Sequence, residues 1–381
     1  MKILISGGHL TPALAFVDYV QASQSNNELV FVGREYSQKK LKQKAVEEQE
    51  IKKRNLSFIP FSAIRFDGNL FVKFKKFFLL IISVKRACKV LDQIKPDIFL
   101  SFGGYLAVPI AIAAYLKKIP ILTHEQTRTI GMANAIIAKL ATVLAVSFGE
   151  TVKSFADKKG IYRKKVYLTG NPIRAEIVKK QKQSPSWMKN KKLDKPLVLI
   201  TGGNQGSKVI NQVVKENLAD LLSNYSLLHI CGRPTLANNY LKELKTTAAQ
   251  LNSELQSRYF VKEWLGEKDL AWIYQNARLA ISRSGANTVL ELAISNLPSI
   301  LIPLPFAYKD EQKLNAQWLS DQKAALLLEQ KYLDRDSLLQ AIANLEDKYQ
   351  ELKENLKKIR PKLDASEKIF NILKEIEKNR S

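Results

Sequence analysis

A short apolar run followed at once by a glycine-rich turn and the start of a helix occurs twice in this chain, about half its length apart. The first copy is the short strand Lys2-Ile3-Leu4-Ile5, apolar after its lysine, then Ser6-Gly7-Gly8-His9, with a helix-like run from Pro12. The second is Leu197-Val198-Leu199-Ile200, then Thr201-Gly202-Gly203-Asn204-Gln205-Gly206-Ser207, with a helical pattern from Val209. Runs apolar at every position read as parallel strands buried on both faces. Glycine suits such a turn because it accepts positive φ and lets a phosphate approach the backbone. The helix that follows aims free N–H groups and a positive dipole end at the same point.

Alternating strand-like and helix-like segments fill the rest of the 381 residues. Strands are expected near Leu29–Val32, Ile98–Ser101, Ile121–His124 and Val143–Val146 in the first half. In the second half they fall near Leu227–Cys231, Arg258–Val261, Leu279–Ser282 and Ser299–Pro303. The pattern predicts an α/β protein of two Rossmann-like, doubly wound domains facing a cleft, residues 1–170 and 171–363. Gly170-Asn171-Pro172 and the Lys- and Ser-rich stretch to Lys195 read as a surface linker. Ile369, Ile372, Leu373 and Ile376 make an apolar stripe on a charged last helix, 364–381, enough to dock it on a core.

Two cysteines, Cys88 and Cys231, give no disulfide framework and suit a reducing compartment. Met1 runs directly into a strand, which leaves no room for a signal peptide. The longest apolar stretch, Tyr105 to Leu116, contains Pro109 and is shorter than the ~20 residues of a membrane span. The formal charge of +24 attracts polyanions, either nucleic acid or an anionic lipid surface. No nucleic-acid-binding signature accompanies it, so no nucleic-acid partner is expected. On a helix from Leu70 to Leu91, Phe77, Leu80, Val84, Ala87 and Leu91 form the core stripe. Phe71, Phe74, Phe78 and Ile82 fall on another side with Lys75, Lys85, Arg86 and Lys89, the make-up of a helix lying on an anionic membrane.

The second chemical constellation is Ile281-Ser282-Arg283-Ser284-Gly285-Ala286-Asn287-Thr288, followed by Glu291 one helical turn on. A strand end leading through small residues into a helix again suits a phosphate, and a carboxylate nearby can accept two ribose hydroxyls. Together with Gly202-Gly203 it points to a nucleotide-sugar. No metal-ligand spacing is visible, so no metal or other cofactor is expected. His9, at the first glycine turn, and Glu125, at a predicted strand end, are the candidate general bases. His124 and His229 read as packing residues.

Ser101-Phe102-Gly103-Gly104-Tyr105, His124-Glu125-Gln126, Gly170-Asn171-Pro172-Ile173-Arg174, the Gly202 turn, Arg283-Ser284-Gly285-Ala286, Asp310-Glu311-Gln312 and Asn315-Ala316 occur in an order that resembles one family. It is the MurG-type peptidoglycan glycosyltransferases, inverting enzymes of GT-B architecture. These move N-acetylglucosamine from UDP-N-acetylglucosamine to lipid I, the undecaprenyl-diphosphate-linked muramyl pentapeptide, to give lipid II. The resemblance implies a peripheral enzyme on the cytoplasmic face of the cell membrane.

It further implies that Gly202, Gly203, Asn204, Gln205, Gly206 and Arg174 face the diphosphate and that the Leu265 backbone meets uracil. Ser284, Gly285, Ala286, Asn287 and Thr288 would line phosphate and ribose, Glu291 would take the ribose hydroxyls and Gln312 the sugar hydroxyls. Ser6, Gly7, Gly8, Gly103, Gly104 and Thr127 are the substrate-binding candidates of the first half. The chain departs from the family pattern in a shortened first loop, in Thr127 where Asn is usual and in Asn204 where Ser is usual. Another sugar transferase with a lipid acceptor, a UDP-N-acetylglucosamine 2-epimerase of similar fold, and a basic nucleic-acid-binding protein are the alternatives.

Overall fold

The computed structural model describes residues 1–381 except 24–25, 39–42, 64–69, 157–165, 189–192, 204, 236–237 and 380–381; side chains at 37–38, 43–44, 70–77 and 154–156 also lie outside the description. The chain forms two compact units, Met1–Arg174 with Lys362–Ser381, and Ala175–Pro361.

In the first unit the strands are β1 (Lys2–Ser6), β2 (Glu28–Gly33), a small hairpin of β3 (Tyr36–Gln38) and β4 (Gln43–Lys44), β5 (Ser57–Pro60), β6 (Ile98–Ser101), β7 (Ile121–Glu125), β8 (Val143–Val146) and β9 (Val166–Leu168). All but the hairpin join one parallel sheet in the order β5-β2-β1-β6-β7-β8-β9. Chain order runs outward in opposite directions from β1 and β6, which makes that pair the topological switch point, the place where doubly wound sheets bind ligands.

The second unit repeats the plan with β10 (Leu197–Thr201), β11 (Ser226–Ile230), β12 (Tyr259–Lys262), β13 (Leu279–Ser282), β14 (Ser299–Leu301) and β15 (Leu326–Leu327). The order is β12-β11-β10-β13-β14-β15, all parallel, with the switch point between β10 and β13. Each glycine turn singled out in the sequence therefore leaves the central strand at its own switch point.

The inner strands are buried along their length, as their unbroken apolar runs require. The apolar stripe of the last helix, Ala365–Lys378, packs into the first unit's core with Phe16, Val17 and Val20 of the helix Leu10–Ala22. Phe370 meets Phe16 and Tyr19 edge-on, with ring centroids 6.5 and 6.2 Å apart. Ala87 and Leu91 of the helix Leu70–Ile94 are buried against the other face of the sheet, and Val84 packs beside them. Phe71, Phe74, Lys75 and Phe77 lie outside the described side chains.

The stretch after Pro172 is not the bare surface linker its polarity suggests. Ile177 and Met188 are buried in the second unit's core, and the Trp187 indole donates to Asp269 at 2.7 Å. A few apolar anchors among many lysines suffice to bind it down.

Candidate functional site

In the first unit the backbone of the glycine turn is packed against a second glycine pair. Ser6 ends β1 fully buried, its carbonyl accepting the Phe102 N–H at 3.0 Å. A Cβ on Gly7 would fall 2.4 Å from the Phe31 ring, and one on Gly8 would fall 2.1 Å from the Gly103 carbonyl oxygen. Gly103 and Gly104 hold φ of +75° and +81° to make that contact. His9 donates its N–H to Phe102 O at 3.3 Å and opens the helix Leu10–Ala22. Its side chain is accessible to solvent, yet enough protein surrounds it to disfavour the cation. Desolvation holds the His9 pKa below its ordinary value, and the Glu125 charge opposes that shift. His9 is thus neutral at neutral pH.

Glu125 ends β7 buried, and four donors occupy its carboxylate. Thr127 N and Thr127 Oγ1 reach Oε1 at 3.1 and 2.8 Å; Gly131 N and Asn134 Nδ2 reach Oε2 at 2.9 and 3.0 Å. The group offered by the sequence as a second base is a brace for the loop 126–131, and Thr127 is turned inward by it. His124 is buried, with Nε2 2.9 Å from the Gly170 carbonyl oxygen and a pKa lowered by burial to about 4. Arg174 lies at the end of the first unit's main segment, away in sequence from these turns.

The second unit gathers its candidates where β10 and β13 end side by side, Thr201 paired with Ser282. Thr201 Oγ1 accepts Gly203 N–H at 3.1 Å, and Gly203 and Gly206 hold φ of +79° and +74°. Space above Gly203 is open: a Cβ there meets nothing within 4 Å. Gly206, in contrast, is pressed against the end of β11, where a Cβ would fall 2.1 Å from Cys231 O. Gln205 is exposed, and Asn204 lies outside the described residues. Gly285 precedes the helix Ala286–Ile294, whose first turn (Ala286, Asn287, Thr288) receives no side-chain cap. Such an end leaves backbone N–H groups for an anion.

Glu291, one turn further, is buried and accepts the Tyr274 hydroxyl at 3.3 Å. Gln312 is tied to the same region: its carbonyl accepts Ser284 Oγ at 2.7 Å and its Oε1 accepts Leu304 N at 3.0 Å. Leu265 follows β12, its side chain buried, just before the helix Glu267–Asn276.

Two glycine turns at two switch points, and beside the second of them an uncapped helix after β13 that carries a buried glutamate, are the geometry of a nucleotide-sugar enzyme, and comparison with known proteins agrees. Residues 6–146 match the glycosyltransferase family 28 N-terminal domain, and residues 197–369 match its C-terminal domain. The chain belongs to glycosyltransferase family 28. Among family 28 relatives, the UDP-N-acetylglucosamine–N-acetylmuramyl-(pentapeptide) pyrophosphoryl-undecaprenol N-acetylglucosamine transferase of Clostridium botulinum is 33% identical over 350 residues, 90% of this chain and 89% of that one. The enzyme of the same name from a Thermoanaerobacter species is 30% identical over 97% of both chains. A crystal structure of Acinetobacter baumannii MurG shares the fold at 23% identity, covering 98% of this chain and 99% of that one, with a TM-score of 0.67. So does the UDP-GlcNAc 2-epimerase of Neisseria meningitidis bound to UDP-GlcNAc, at 14% identity, 98% and 100% coverage and a TM-score of 0.66.

In this family 28 site the roles of Arg283 and Asn211 escape sequence reasoning, while His229 is buried as the packing residue expected. Arg283, read only as part of a motif, is buried and spans three elements. His229 and Asn211 form a buried chain: Nδ1 lies 2.9 Å from Tyr259 Oη, Nε2 2.9 Å from Asn211 Oδ1, and Asn211 Nδ2 donates to Cys231 O at 3.0 Å. Burial lowers the His229 pKa to about 3, so the chain stays uncharged and fixes the strand end on which Gly206 rests. Asn211 is the one polar residue among the four buried in its helix, beside Ile210, Val213 and Val214.

Proposed function

We propose that the protein is an inverting glycosyltransferase that moves N-acetylglucosamine from UDP-N-acetylglucosamine to the undecaprenyl-diphosphate-linked N-acetylmuramyl pentapeptide, converting lipid I to lipid II. The observation that carries this reading is the pair of family 28 domains together with relatives of one name matched over nearly their whole length. The second unit takes the donor. The Gly202–Gly206 turn, open above Gly203, and the N–H groups of the Ala286 helix end hold the diphosphate, with Arg174 adding charge; Glu291 accepts the ribose hydroxyls, Leu265 meets uracil and Gln312 the sugar.

The first unit takes the acceptor on the Ser6–Gly8 and Gly103–Gly104 turns. Neutral His9 removes the proton from an acceptor hydroxyl, whose oxygen attacks the anomeric carbon from the face opposite UDP. The sugar–phosphate bond breaks, and UDP departs with the electron pair, stabilised by the N–H groups already around it. Glu125 keeps the neighbouring loop in shape.

The protein works at the cytoplasmic face of the cell membrane, held peripherally. Among the described residues no helix is long and apolar enough to cross a membrane. Phe78, Ile82, Lys85 and Lys89 follow the i, i+4, i+7, i+11 spacing of one helix face, and all four are exposed, as is Arg86 beside them.

UDP release assayed with and without lipid I tests the reading: release that requires lipid I supports it. Conversion of UDP-N-acetylglucosamine to its 2-epimer without any acceptor would replace it with the epimerase alternative.

A further inference from the structure

Arg283 follows β13 at the second unit's switch point, and its guanidinium is buried among neutral acceptors. Nη1 donates to Ile302 O and Pro303 O, each at 3.1 Å, and Nη2 donates to Ser207 Oγ at 2.7 Å and Gln330 Oε1 at 2.6 Å. Among the described residues no carboxylate pairs with it and no acceptor meets its Nε. An unpaired buried cation is costly, and proteins usually neutralise one with an acid. Burial does lower the Arg283 pKa, but only to about 10, so the charge persists at neutral pH.

The placement of that charge is specific. Ser207, which it holds, caps the helix Lys208–Glu216 at the end of the Gly202–Gly206 turn, accepting Ile210 N–H at 3.4 Å. Residue 284, next to Arg283, ties the other turn to Gln312. One fixed cation therefore sits at the root of both turns that converge on the switch point.

We propose that Arg283 is a positioning residue whose uncompensated charge selects a nucleoside diphosphate over its uncharged nucleoside, acting through the field it sets up and through Ser207. This rests on the donor reading above. A preorganised charge in a low-dielectric setting is worth more than the same charge in water and needs no rearrangement when the anion arrives. The missing acid is the ligand's diphosphate.

The informative variant is Gln330→Glu, which sets a carboxylate of nearly the same shape against Nη2 and neutralises Arg283 without emptying its pocket. Arg283→Lys is the companion, keeping the charge while losing the fork that spans Ser207 and the Ile302 and Pro303 carbonyls just after β14. Affinities for UDP and for uridine are measured on each protein, with thermal melting alongside. Gln330→Glu is expected to leave uridine binding and the melting temperature within error of wild type, while UDP binding weakens roughly ten- to a hundredfold. Arg283→Lys is expected to keep most of the preference for UDP over uridine at reduced stability. An unchanged ratio of UDP to uridine affinity in Gln330→Glu would overturn the proposal. Wild-type protein that binds neither compound would instead overturn the donor reading itself.

Discussion

Gly8 and Gly104 meet backbone to backbone: a Cβ on Gly104 would lie 2.6 Å from the Gly8 Cα, and Gly104 itself holds φ at +81°. No side chain fits there, so the turn that carries His9 and the turn after β6 form one rigid surface. Gly104→Ala combines that collision with left-handed strain, and the first unit should lose roughly 2 kcal/mol or more of stability. Gly203→Ala has the strain without the collision, because its space is open. It should cost only about 1 kcal/mol in melting experiments yet raise the KM for UDP-N-acetylglucosamine, since the added methyl occupies the phosphate's place. Equal effects of the two changes on stability would contradict this division.

His9→Ala should lower turnover by ~10²–10⁴-fold with donor KM little altered, because His9 is not among the groups proposed to hold the donor. The sign of the pH dependence follows from desolvation. The His9 pKa lies below its ordinary value, so the active neutral form persists below pH 6.5 and activity is lost only as pH falls through the depressed pKa. A wild-type acid limb above pH 6.5, or one that survives in His9→Ala, would remove His9 from the base role.

Glu291 is buried with the Tyr274 hydroxyl on one oxygen, so it is not a solvated helix glutamate. Replacing it with Ala should weaken UDP binding by roughly 1.5–3 kcal/mol through loss of a charged acceptor for two ribose hydroxyls. Titration with 2′-deoxy-UDP supplies the check: its deficit relative to UDP should shrink in the variant.

Exposed Phe78 and Ile82 beside Lys85, Arg86 and Lys89 should hold the protein on phosphatidylglycerol vesicles, less so as salt rises. Changing the three basic residues to Gln should release it with an unchanged melting temperature. Sedimentation indifferent to both salt and these changes would rule this face out.

The central strands were legible because burial on both faces leaves an unbroken apolar run, as in Leu197–Ile200 and Val143–Val146. Of the strands that escaped notice, β3 and β4 form a short hairpin outside the parallel sheets, and β5, β9 and β15 are short edge strands with partly exposed side chains, where that signature fades. In the site, glycine turns announce themselves because positive φ and close backbone approach leave few alternatives. The roles of Glu125, Arg283 and Asn211 do not, since each depends on partners brought near only by folding: Asn134 and Gly131, Ser207 and Gln330, His229 and Cys231. A carboxylate at a strand end looks like a base until its four donors are seen.

The most direct measurement is product analysis after incubating the purified protein with isotope-labelled UDP-N-acetylglucosamine and lipid I. The account predicts one N-acetylglucosamine added to the lipid-linked muramyl pentapeptide, with the anomeric centre inverted relative to the donor and one UDP released per transfer. An unmodified acceptor, or a product that retains the donor's anomeric configuration, would contradict it.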